Sequence, residues 1–167
     1  MKRICLTLLL ALIGLSARAQ ENFYIDKGEI IWRRVFESAA DLKTIETNFR
    51  AKGCFRDYNS YDGIITAELW GYRMFIEGTG YKRMSLPIYL PNGVFTAFVI
   101  VQVKEGRYRV TVRRIYLEDK LGVSGLTTFA VKDGKIDDKF VGAPSDVINY
   151  NFFSLFCDLG EEVDNDW

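Results

Sequence analysis

Apolar and polar positions alternate at period two through the middle of the chain. They recur at spacings of three and four in two flanking stretches, so strands are expected between two helices. Glu29 to Phe36 is rich in β-branched and aromatic residues and predicts a strand. Ser38, just after it, is placed to cap a helix over residues 39 to 52, in which Leu42, Ile45 and Phe49 form the apolar stripe and Gly53 supplies the stop. Cys54–Tyr58 and Ile64–Tyr72 predict a hairpin whose connection, residues 59–63, ends in Asp62-Gly63. Tyr81–Leu90 reads as a weaker edge strand, because Pro87 lacks a ladder donor, and Pro91-Asn92-Gly93 turns the chain after it. The clearest hairpin is Val94–Val103 with Arg107–Leu117, joined by Lys104-Glu105-Gly106.

Residues 118–143 carry no sustained period and read as an excursion, with a small hairpin turn at Asp133-Gly134. Pro144 and Ser145 then start a helix whose stripe is Ile148, Phe152, Leu155, Phe156 and Leu159, with Gly160 as its stop. Local connections require antiparallel pairing, and two amphipathic helices bury their stripes against one face of a sheet. The expected fold is therefore α+β: an antiparallel sheet of about five to seven strands in the order β-α-β-β-β-β-β-α, with both helices packed on one face.

The first residues alter the domain boundaries. Lys2 and Arg3 precede an apolar run from Ile4 to Leu15, and Ala17-Arg18-Ala19 matches the small-residue pattern that a signal peptidase reads. The expected organisation is a signal peptide at 1–19, one domain at 20–160 and an acidic tail at 161–167. The apolar run is too short for a membrane span, which needs about 20 residues, so the processed protein is expected in the periplasm or outside the cell with no transmembrane segment. Loss of Lys2, Arg3 and Arg18 leaves 19 of the 22 basic residues against 22 acidic ones, and this balance gives no charge argument for nucleic acid. Apolar residues at 49% and aromatics at 14% exclude a disordered chain. Cys54 and Cys157 are the cysteines beyond the signal; an oxidising compartment permits them to pair, and two buried free thiols are the alternative.

The Tyr24–Ser38 opening before a helix, the strand start Gly63-Ile64-Ile65-Thr66-Ala67 and the hairpin Val103-Lys104-Glu105-Gly106-Arg107-Tyr108-Arg109-Val110-Thr111-Val112 resemble exported bacterial domains of unknown function with a TATA-binding-protein-like fold. The resemblance spans roughly residues 24–118 and rests on the hairpin pattern rather than on chemistry. It implies the architecture and brings no catalytic or binding residue with it. A fold name carries no implication of DNA binding.

The absence of histidine removes serine–histidine and cysteine–histidine nucleophile pairs, histidine metal ligands and an imidazole base. No phosphate-binding glycine loop is present, and no cofactor or metal is expected. Asp57, Asn59 and Glu68 sit at the first, third and twelfth places of a calcium loop, but Tyr61 and Asp62 break the pattern, and a plain turn accounts for them. Two features remain as binding candidates. Arg107, Arg109 and Arg113 share one strand face, where they can hold an anion or pair with acidic side chains across the sheet. In the other, Val94, Phe98 and Ile100 project opposite Phe95, Ala97, Val99 and Val101, so this strand expects cover on both faces while the helices provide one. The second cover can come from residues 118–143, from Trp70–Arg83, from a second copy of the chain, from another protein or from a small apolar ligand. The expectation is an exported binding or interaction module of the bacterial cell envelope. The alternatives are an enzyme using carboxylates or tyrosine and a carrier of a small apolar molecule.

Overall fold

Asp62 and Gly63 take up positive φ angles of 46° and 73°, the pair a two-residue reversal requires, and fold β3 (Phe55–Tyr61) back on β4 (Ile64–Tyr72). The connection is thus two residues long rather than five, with Tyr61 opposite Ile64. Lys27 and Gly28 (52° and 82°) do the same between β1 (Phe23–Asp26) and β2 (Glu29–Glu37), a hairpin that the sequence reading began only at Glu29. Gly106 closes the long hairpin of β5 (Val94–Lys104) and β6 (Arg107–Asp119), in which Lys104 stands opposite Arg107. The molecule is a computed structural model that describes residues 22–120 and 122–161. The expected signal peptide and all but the first residue of the acidic tail lie outside the described residues.

The main sheet has seven strands in the order β1-β2-β6-β5-β4-β3, with β7 (Gly122–Gly125) pairing the far end of β6, and every pairing is antiparallel. The α+β expectation therefore holds, at the upper end of the strand count. Helix α1 (Leu42–Ala51) buries Ile45 and Phe49 fully, and the Phe49 ring lies 4.2 Å from that of Phe55. Its cap is not Ser38 but Asp41, whose carboxylate accepts from the Thr44 amide at 2.8 Å. That bond, more than any charge, holds the Asp41 carboxyl below its ordinary range.

The last helix, α4 (Ala143–Phe156), starts where the Ser145 hydroxyl accepts from the Gly142 amide at 3.1 Å. It sets Phe152 edge-on against Trp32, with centroids 5.6 Å apart, and brings Phe156 to the rings of Trp32, Phe49 and Phe55. It ends at Phe156, not at Gly160. A Cβ on Gly160 would collide with the Cβ and hydroxyl of Ser38, so this glycine permits a close approach rather than stopping a helix.

Two stretches differ from their sequence reading. Tyr81–Leu90 is no strand: it holds a 3-10 turn at Arg83–Ser85 and enters the short helix α2 (Tyr89–Asn92), because Pro87 and Pro91 remove the ladder donors. Residues 118–143 are not a loose excursion. They carry β7, α3 (Thr127–Ala130) and a second small sheet of β8 (Val131–Lys132) with β9 (Lys135–Ile136). Leu126, Ala130 and Phe140 of this stretch, and Leu86, Tyr89 and Leu90 of the earlier one, join the same core as Trp32, Val99 and Val112. Both stretches therefore extend the helical layer, and neither covers the opposite face.

Candidate functional site: the open face of the sheet

With every described helix on one side, the other side of the sheet is left, among the described residues, to its own side chains. The register fixes which of them meet. Glu68, Phe98 and Arg113 form one row; Thr66, Ile100, Thr111 and Arg33 form the next, and Ile64, Gln102, Arg109 and Val35 the one after. Lys104, Arg107 and Glu37 close this end of the face. Phe98 and Ile100 are half-buried by these neighbours, whereas Phe95, Ala97, Val99 and Val101 on the other face are fully buried.

Three bulges adjoin the Phe98 row. β3 shifts register between Arg56 and Asn59, β4 between Leu69 and Tyr72, and β6 between Arg113 and Tyr116. Asp57 and Arg114, at φ 55° and 50°, are the residues that the first and last of these place in the left-handed region. Bulges of this kind bend a strand and re-aim its side chains. Here they open a cleft of about 290 Å³ lined by Asp57, Glu68, Thr96, Ala97, Phe98, Arg114 and Tyr116. Beside it Arg56 lies 3.2 Å from the centroid of the exposed Trp70 ring and donates to Glu68 at 2.6 Å. Glu68, a place in the calcium-loop reading, is thus held by an arginine, and Asp57 lies 3.7 Å from the same guanidinium.

Of the arginine row, Arg113 pairs with Glu29 at 3.1 Å, and Arg109 donates to Gln102 Oε1 through Nε (3.1 Å) and Nη2 (2.6 Å). Arg107 has no ion pair among the described residues. Arg107 and Arg109 line a second cleft on this face, of about 210 Å³, with Val35, Gln102 and Lys104. Both clefts are lined by strand residues alone. Val94 stands apart from Phe98 and Ile100: it lines a third cleft of about 830 Å³, with Arg73, Ile88, Asn92, Glu118, Asp119 and Lys120, where β5 leaves α2. Trp70, Tyr116, Arg33 and Lys104 were absent from the sequence candidates. They lie in β4, β6, β2 and β5 respectively, and only the register shows which face each strand presents.

Polar groups elsewhere serve the fold. Asn151 accepts from the Phe75 amide (2.7 Å) and Tyr72 Oη (3.0 Å) and donates to the carbonyls of Phe75 (3.0 Å) and Val147 (2.9 Å). Tyr108 Oη donates to the Phe156 carbonyl at 2.7 Å. Burial pushes the Tyr72 and Tyr89 phenols up to about 12 and the Tyr108 phenol higher still, so all three stay protonated at neutral pH. Tyr81 donates to Asp146 at 2.6 Å, and that bond raises its pKa. Cys54 is half-buried and Cys157 exposed; each is a free thiol raised chiefly by desolvation, so neither the disulfide nor the pair of buried thiols is found. Among the described residues no helix is long and apolar enough to cross a membrane.

Comparison with known proteins reaches the fold. No family model and no curated protein matches the sequence. Among solved structures, the chain is similar to a TBP-like protein from Parabacteroides distasonis, with 14% identity over 81% of this chain and 93% of that one, at a TM-score of 0.49. It is also similar to a DUF4468 family protein from Bacteroides ovatus, with 12% identity over 91% of this chain and 98% of that one, at a TM-score of 0.53. The resemblance read from the hairpin thus extends to the fold: this chain has the α+β architecture of the Bacteroides ovatus DUF4468 family protein over nearly its whole length.

Proposed function

We propose that the protein is an exported binding module of the bacterial cell envelope that engages its partner through the open face of the sheet. One observation carries this reading: a seven-stranded sheet keeps all its described helices on one face and presents Phe98, Ile100, Trp70, Tyr116 and Val35, interleaved with arginines, on the other. Trp70 is 52% exposed, Tyr116 47% and Val35 48%, and aromatic and arginine side chains mixed in this way are typical of interaction surfaces. An enzyme would need a pocket in which two ionisable groups are pushed in opposite directions. The lowered carboxyls, Asp41 and Glu46, belong to the cap and the outer face of α1, and the raised phenols are buried donors.

Export follows from the signal pattern, and the released protein should begin at Gln20. N-terminal mass analysis of material from the culture envelope checks this; an intact Met1 end would overturn export. The binding face is checked by hydroxyl-radical footprinting of natively isolated protein against the same protein after unfolding and refolding. The reading expects Phe98, Trp70 and Tyr116 to be protected in the native material alone, together with a co-isolated species identified by mass spectrometry. Equal labelling of both preparations overturns it.

A further inference from the structure

The hairpin end of the open face breaks a rule of sheet pairing. Lys104 and Arg107 are directly opposite each other, where like charges destabilise a strand pair, and Arg109 adds a third cation two residues along the same face. All three line one cleft with Gln102 and Val35, and no carboxylate lines it. Glu37 stands opposite Arg107 and Glu105 lies in the turn between Lys104 and Arg107, and among the described residues neither makes an ion pair with any of the three. Arg109 is also held in place. Two of its five N–H groups go to Gln102 Oε1, which fixes the plane of the guanidinium and leaves the remaining donors free.

We infer that this cleft is an oxyanion site that takes a carboxylate or phosphate group. It rests on the reading of the open face as the binding surface and assigns the charged part of what binds there. A fixed guanidinium fork matches the two oxygens of such a group, and Lys104 and Arg107 supply the neutralising charge that the fold leaves unpaired. The local repulsion between them is relieved when the anion enters, so the site is strained empty and satisfied full.

The test is titration of the full-length processed protein with inorganic phosphate and, separately, with acetate at constant ionic strength, followed by the side-chain NMR signals of Arg109 Nε–H and Gln102. Saturable shifts with either anion and none with chloride are expected, and the anion that binds more tightly tells the phosphate source from the carboxylate one. R109K keeps the charge and loses the fork, and should weaken binding by about tenfold or more, the worth of one charged hydrogen bond. K104Q/R107Q should abolish saturation while raising the melting temperature at low salt, because it removes the like-charge pair. Linear, anion-independent shifts, or an R109K variant that binds as well as the parent, would overturn the site. If the footprint on Phe98 and Trp70 persists while this titration fails, the oxyanion site alone is wrong; if the footprint fails as well, the open-face reading goes with it.

Discussion

At the scale of single residues, the buried phenols decide how the protein responds to pH. Tyr72 and Tyr89 have pKa values raised from 10.0 to about 12 by burial, so the folded chain holds protons that the unfolded chain releases. Below pH 10 both states are protonated and this stability is fully present; above it only the unfolded chain ionises, and stability is lost until the folded phenols titrate near 12. Each such tyrosine steepens the loss by about 1.4 kcal/mol per pH unit in that window. Tyr72→Phe should cost about 0.5–1.5 kcal/mol at neutral pH, through the lost bond to Asn151, and make the alkaline decline shallower. Urea titrations at pH 8, 10 and 11 check it. An unchanged slope between 10 and 11 would mean that Tyr72 ionises as freely in the folded protein as in the unfolded one.

At the scale of elements, the bulge at Arg114 sets which side chains of β6 reach the core. Before it Tyr108, Val110 and Val112 point to the helices; after it Ile115 and Leu117 do, a change of parity that one extra residue produces. Strict alternation from Arg107 would have sent both to the open face. Deleting Arg114 should therefore leave a regular ladder, with Arg113 still opposite Phe98, Tyr116 opposite Thr96 and both Ile115 and Leu117 still facing the helices, and cost well below the roughly 3 kcal/mol that turning two aliphatic side chains outward would. Arg114→Gly keeps the bulge and relieves a left-handed backbone, worth up to about 1 kcal/mol, which the loss of the side chain partly offsets. Denaturant midpoints of both variants should thus stay near that of the parent, and a loss of about 3 kcal/mol or more on deletion would show that Ile115 and Leu117 had turned outward.

At the scale of the whole molecule, the two faces of one sheet should answer mutation differently. Phe152 is fully buried in the helical layer against Trp32, and Phe152→Ala should cost about 3–5 kcal/mol. Phe98 keeps part of its ring exposed, so Phe98→Ala should cost the isolated chain less, about 1–2 kcal/mol, below the transfer free energy of a fully buried aromatic. Refolded protein freed of anything co-isolated is the sample for this comparison, and sedimentation shows whether either variant changes its association. A loss of 3 kcal/mol or more at Phe98, in the range of buried core aromatics, would mean that something in the chain covers the open face after all.

Much of the architecture was legible in the chain itself, because periodicity and turn chemistry act over a few residues. The period-two runs and Gly106 gave the β5–β6 hairpin, Asp133-Gly134 gave the β8–β9 turn, and the stripe of Ile148, Phe152 and Phe156 gave α4. Local signals also placed Phe98 and Ile100 opposite the core residues of β5 and put three arginines on one face of β6. They misplaced the α1 cap, since Ser38 and Asp41 are equally good caps by residue type and only the chain's exit from β2 decides between them. They also missed the role of Gly160, because its close approach to Ser38 joins residues far apart in sequence. What tertiary structure alone decided is where the irregular stretches go. Residues 73–93 and 118–143 have no period to declare a face, and their buried side chains pack on the helical side only because the sheet's twisted, bulged surface is already half covered there. That choice leaves the other face open. Of the cluster of Gln102, Lys104, Arg107, Arg109 and Val35, the first four come from one local hairpin, and only Val35 is brought to them by the long-range pairing of β2 with β6.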